Sequence, residues 1–125
     1  MLEGKTLVGP WTGKNLVVGN YAIDHVIPVA VYPTNELWNL VPSDGYFNAH
    51  TKRARVPTPV RMNSATLPLA QTYGLYMGSQ TLGQALRADL QERFALSPIG
   101  GPREIAETVA GVTLAIADAR SVALF

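Results

Sequence analysis

The 125-residue chain predicts an α+β fold, with short strands in its first third and helices in its second half. Three observations carry that prediction. Leu16–Val18 and Tyr21–Val26 are β-prone runs on either side of a Gly19-Asn20 turn signal. Leu82, Leu86, Leu90 and Phe94 recur every four residues, the spacing of one helix face. Between these regions Pro57, Pro59 and Pro68 interrupt any continuous regular element. Hydrophobic residues make up 47% and charged residues 15%, so a core can form, and the length suits one domain over 1–125.

Taken in order, residues 1–13 hold Gly4, Gly9, Pro10 and Gly13 and read as an irregular lead-in, with at most a short strand at Thr6–Val8. The hairpin of the two β-prone runs follows, its second arm reaching Asp24-His25. Pro28 and Pro33 then enclose a loop through Thr34-Asn35, and Leu37–Val41 reads as a further strand that stops at Pro42. Ser43 or Asp44 can cap a short helix to about Arg53, because either side chain accepts from the free first-turn amides. Residues 57–68 are expected to be a surface connector, and 69–125 the helical part. The Leu82–Phe94 stripe defines one helix, with Arg87, Asp89, Glu92 and Arg93 on its other faces, and Pro98-Ile-Gly-Gly-Pro102 ends it. Arg103-Glu104 opens the last helix, where Ile105, Val109, Val112 and Ile116 keep helical spacing.

Composition narrows the chemistry. With no cysteine, disulfides, thiolate zinc sites and cysteine nucleophiles are excluded, so any metal must use oxygen or imidazole. No apolar run approaches the roughly 20 residues of a membrane span, and Met1-Leu-Glu-Gly-Lys5 is no signal peptide, which suggests a cytoplasmic protein. The net charge of +1 is unevenly spread. Residues 44–61 set Lys52, Arg53, Arg55 and Arg61 against Asp44 alone, while the segments on either side are slightly acidic. A basic run of that kind suits phosphate.

The basic run follows a polar constellation: Ile23-Asp-His-Val-Ile-Pro28, then Leu37-Trp-Asn-Leu-Val-Pro42, then Phe47-Asn48. Hydrolysis of a phosphodiester needs a base for water, a cation for the developing charge, and a grip on the phosphate. An imidazole, with an ordinary pKa of about 6.5, is a suitable base near neutral pH. His25 supplies one. Asp24 and the Asn48 carbonyl are hard oxygen donors, suited to Mg²⁺ or Mn²⁺. Neighbouring side chains on a strand face opposite ways, so Asp24 and His25 can share a site only where the strand ends.

These three segments, over roughly residues 15–56, resemble the HNH endonucleases of the His-Me finger, or ββα-metal, superfamily. The resemblance implies a small finger of short hairpin, long loop and helix, followed by C-terminal helices packed as one domain. It implies a metal-dependent DNA endonuclease in which His25 is the general base and Asn39 braces the loop that orients it. Asp24 and Asn48 would bind one divalent cation, Mg²⁺ first and Mn²⁺ second. Lys52, Arg53, Arg55 and Arg61 would contact DNA, and His50 is a further candidate for phosphate or metal. Three features depart from the family pattern: no structural zinc knuckle is available, Lys52 lies four rather than three residues after Asn48, and the step from His25 to Asn39 is a long fourteen. The other reading is a non-catalytic DNA-binding or assembly module on the same scaffold. The C-terminal helices are the candidate surface for a homodimer or larger assembly.

Overall fold

The computed structural model describes residues 7–16, 21–52, 55–95 and 100–125. Its strands are short. β1 (Leu7–Val8) pairs antiparallel with β2 (Asn15–Leu16), and β3 (Tyr21–His25) pairs antiparallel with β4 (Leu40–Asp44). A 3₁₀ turn at Leu37–Asn39 leads into β4. A one-turn helix α1 (Gly45–Phe47) follows and passes directly into a π-helical turn, Asn48–Lys52. Three long helices complete the chain: α2 (Pro59–Gly78), α3 (Gln80–Phe94) and α4 (Pro102–Arg120).

The strand partners differ from the expected hairpin. Residues 17–20, which include its proposed turn at Gly19-Asn20, lie outside the described residues, and Tyr21–His25 pairs instead across the long loop, from Tyr21 opposite Asp44 to His25 opposite Leu40. Leu16 pairs back with Leu7, so the lead-in is a hairpin of its own. Gly13 closes its turn with φ of 70°, a left-handed conformation costly for residues with a Cβ, and its N–H donates to the Gly9 carbonyl. Leu37–Asn39 is a helical turn rather than strand, and β4 runs on through Pro42 to Asp44. Asp44, not Ser43, caps α1, its Oδ1 accepting from Phe47 N at 3.1 Å.

The expected connector over 57–68 is also corrected, because α2 begins at Pro59. A proline at the first helical position loses nothing, since its missing N–H would have no partner there, and Thr58 caps the turn by accepting from Arg61 N at 3.2 Å. Pro68 does sit inside α2. Its ring denies a hydrogen bond to Ser64, which is on the exposed face where water can substitute. What holds the helix is packing: Met62, Ala65, Leu69, Tyr73 and Tyr76 are buried, against α3 on one side and α4 on the other.

The two periodic segments fold as their spacing predicts. Leu86 and Leu90 are buried on α3 with Leu82 and Phe94 packed beside them, and Ile105 and Val109 do the same on α4 with Val112 and Ile116. One cluster of buried side chains joins them to Trp11, Val26, Ile27, Trp38 and Val41 of the N-terminal part. The finger and the helices thus share a core. Among the described residues, no helix is long and apolar enough to cross a membrane.

Candidate active site

β3 alternates as a half-buried strand should, with Ile23 exposed, Asp24 buried and His25 half-buried. The strand ends at His25. Because the chain turns there through Val26 and Pro28, both Asp24 and His25 reach one open cleft of about 470 Å³. Asn48, Ala49 and Lys52 line the cleft from the π turn, and Pro28, Val29 and Ala30 from the loop. Four of the expected site residues, Asp24, His25, Asn48 and Lys52, therefore line a single cleft.

Asp24 is not a free carboxylate. Trp11 Nε1 donates to its Oδ2 at 2.9 Å, and Lys52 Nζ lies 3.6 Å from the same oxygen. Burial pushes the Asp24 pKa up, opposed by the Lys52 charge and the Trp11 bond. Burial likewise pushes Lys52 down, opposed by the Asp24 charge. Each ion needs the other, since a lone charge at this depth is far costlier than a paired one.

His25 is held by a residue that sequence reasoning passed over. Its Nε2 lies 2.9 Å from Asn35 Oδ1, and a carbonyl oxygen only accepts, so Nε2 carries the hydrogen. In the neutral imidazole, that tautomer leaves the lone pair on Nδ1. Asn39, expected to brace the loop, bonds to it through its backbone and both ends of its amide. Its Oδ1 accepts from Ile27 N at 2.8 Å, its Nδ2 donates to Ile27 O at 3.0 Å and Thr34 O at 3.4 Å, and its carbonyl accepts from Val26 N at 3.0 Å. It is fully buried and binds the chain beside His25, while Asn35 binds the imidazole itself.

The helices complete that support. Tyr73 and Tyr76 of α2 donate to the carbonyls of Trp38 and Leu40 at 2.5 and 2.6 Å. Arg93 of α3 forms a fork on Glu36, at 2.5 and 3.0 Å, and donates to Tyr32 Oη at 2.7 Å. Arg120 of α4 donates to the Val31 carbonyl. Trp38 is fully buried beneath the loop, with its ring edge on Phe94. Without a zinc knuckle, three helices pin the fourteen-residue connection.

Three members of the basic run make contacts within the protein. Lys52 is 1% exposed and donates to the His25 carbonyl at 2.8 Å. Arg55 donates to the carbonyls of Thr51 and Leu124, and Arg61 to that of Trp11 at 3.0 Å. Both also stack over Phe125, at 5.9 and 4.7 Å from its ring centre. Arg53 and the side chain of His50 lie outside the described residues. Trp11 and Phe125 were the other unforeseen contributors. The signal for Trp11 was an indole in a glycine-rich stretch, whose N–H needs a partner once its ring is buried.

For a divalent cation, Asp24 and Asn48 form a hard oxygen pair facing one cleft, and both side-chain contacts of Asp24 fall on Oδ2. That donor set fits Mg²⁺ or Mn²⁺ with most positions left to water and phosphate. Among the described residues, no group of three His, Cys, Asp or Glu side chains gathers to hold a metal. The family model of the HNH endonucleases matches residues 10–58, which contain every residue of this cleft. No curated protein and no solved structure matches the chain.

Proposed function

We propose that the protein hydrolyses DNA phosphodiester bonds in this cleft, with His25 as general base, a reading supported by the match of residues 10–58 to the HNH endonuclease family model. The observation that carries the reading is the His25 imidazole, held at Nε2 by Asn35 and opening on the same cleft as the two oxygen donors. His25 Nδ1 takes a proton from water as the water oxygen attacks phosphorus. The bond from phosphorus to the 3′-oxygen breaks, and that oxygen collects its proton from solvent. A cation held by Asp24 and Asn48, Mg²⁺ before Mn²⁺, would supply charge stabilisation at the phosphate and the departing oxygen. Asn39 keeps the backbone after His25 from moving during proton transfer. Arg53 and the half-buried Arg55 are the side chains we assign to backbone phosphate, and one such finger makes one cut.

A second reading is favoured by one observation, the Lys52 ammonium beside the Asp24 carboxylate, where a second cation would also have to bind. On that reading the scaffold binds DNA without cutting it. Plasmid nicking in Mg²⁺, Mn²⁺ or EDTA, with wild type against His25→Ala, separates the two. Loss of a general base should lower the nicking rate by about 10²- to 10⁴-fold. Equal rates in the two proteins would remove His25 from the mechanism, and DNA binding without metal-dependent cutting would establish the second reading.

A further inference from the structure

We propose that Lys52 is a positioning residue, an internal cation that sets the relation between the Asp24 carboxylate and the His25 backbone rather than a contact to DNA. The inference rests on the endonuclease reading above for its catalytic consequence, and on geometry for the role itself. Lys52 Nζ donates to the His25 carbonyl at 2.8 Å and stands 3.6 Å from Asp24 Oδ2. Its ammonium also lies 5.9 Å from the Trp11 ring centre and 5.8 Å from that of Phe125, within the reach of cation–π attraction. At 1% exposure it is among the largest fully buried side chains, so its charge is spent on these partners.

The backbone around the base is consequently clamped at consecutive points. Lys52 holds the His25 carbonyl, the Asn39 carbonyl holds Val26 N, and the Asn39 amide holds both N and O of Ile27. Rotation of the chain beyond His25 would break one of these bonds. The local helix geometry explains how Lys52 arrives there from four residues beyond Asn48. A π turn holds more residues than an α turn, so the Asn48–Lys52 segment absorbs the additional residue. Asn48 and Lys52, at the two ends of this turn, both line the cleft.

Lys52→Met keeps an unbranched chain of similar length and removes the charge. In the full chain with supercoiled plasmid and Mg²⁺, kcat should fall about 100-fold, the scale of a sub-ångström to 1 Å misplacement, with KM little changed. The salt dependence of DNA binding in EDTA should keep its slope. A phosphate contact would instead lower that slope by about 0.9, and this outcome overturns the proposal. The chain has no cysteine, so Lys52→Cys can be alkylated selectively with bromoethylamine while unfolded and then refolded, which restores an ammonium at nearly the original position. The alkylated protein should regain most of the lost rate; failure to do so, when wild type survives the same treatment, overturns the role. A third measurement needs no activity. With only two histidines, the ring signals of His25 can be followed by NMR in metal-free protein. They should shift in Lys52→Met and return in the alkylated K52C protein, and signals that stay in place overturn the proposal. Shifted signals in a protein whose wild type cuts no DNA would leave Lys52 as positioning residue and defeat the endonuclease reading alone.

Discussion

The finger and the three helices are organised by different forces. Among the described residues, no strand of the finger exceeds five residues, and four of its polar side chains are buried: Asp24, Asn39, Ser43 and Lys52. The helices span 15 to 20 residues each, and their buried polar residues are two threonines, Thr72 and Thr113. Short strands bury too little apolar surface to fix their own arrangement, so directional bonds from Asn39, Lys52 and Trp11 must do it. Long amphipathic helices need only shape and hydrophobicity. The candidate site lies in the region expected to tolerate least change, and the helices support it from beneath.

That contrast is broken most severely by paired, volume-conserving substitutions. Asn39→Leu should destabilise the protein by about 3 kcal/mol or more, because the N–H and C=O of Ile27 would lose their partner while buried. Leu90→Met, equally buried but held only by apolar contact, should cost less than about 1.5 kcal/mol. Urea denaturation of the two variants checks the difference. Similar losses would mean that the finger is held by packing after all.

The seam between the regions comes next. Tyr73→Phe leaves the ring packing in place and removes one hydroxyl, so the buried Trp38 carbonyl loses the donor that lies 2.5 Å away. The expected loss is about 1–3 kcal/mol in stability. If α2 positions the loop as proposed, nicking activity should also fall in Tyr73→Phe under conditions where the protein is fully folded. Activity unchanged in a destabilised variant would confine the helices to stability.

How much of this was legible in the sequence follows the same division. The faces of α3 and α4 could be read from spacing alone, because apolar contact obeys a period of about 3.6. Asp24, His25, Asn39 and Asn48 could be read because their spacing is a pattern, and three of them line the cleft with Asn39 behind it. The partner of β3 could not, since Gly19-Asn20 offers a local turn while the pairing crosses fourteen residues. α2 was hidden by prolines whose positions, at the first helical residue and on a solvent-facing turn, make them tolerable. Lys52 read as a phosphate ligand because nothing in a sequence announces that a lysine will be buried, and Asn35 was passed over because its bond to His25 is made by the fold of the loop.

The smallest expected effect lies at the surface of the seam, and it separates two carboxylates by sign. Glu36 is hydrogen-bonded by Arg93, which holds its pKa below the ordinary 4.5. Its folded form therefore binds a proton less readily than the unfolded chain, and the stability it contributes is present above pH 4.5 and lost as pH falls through the lowered value. Asp24 behaves oppositely. Burial raises its pKa above 3.8, so the folded state binds the proton more tightly and this residue's contribution rises as pH falls through that raised value. Glu36→Gln removes only the first of these. Against wild type it should lose about 0.2–1 kcal/mol at neutral pH, the usual worth of a partly exposed pair, and the difference should shrink below pH 4.5. Urea midpoints at pH 7 and pH 3.5 measure it. A difference that persists undiminished in acid would show that Glu36 does not support the loop through its charge.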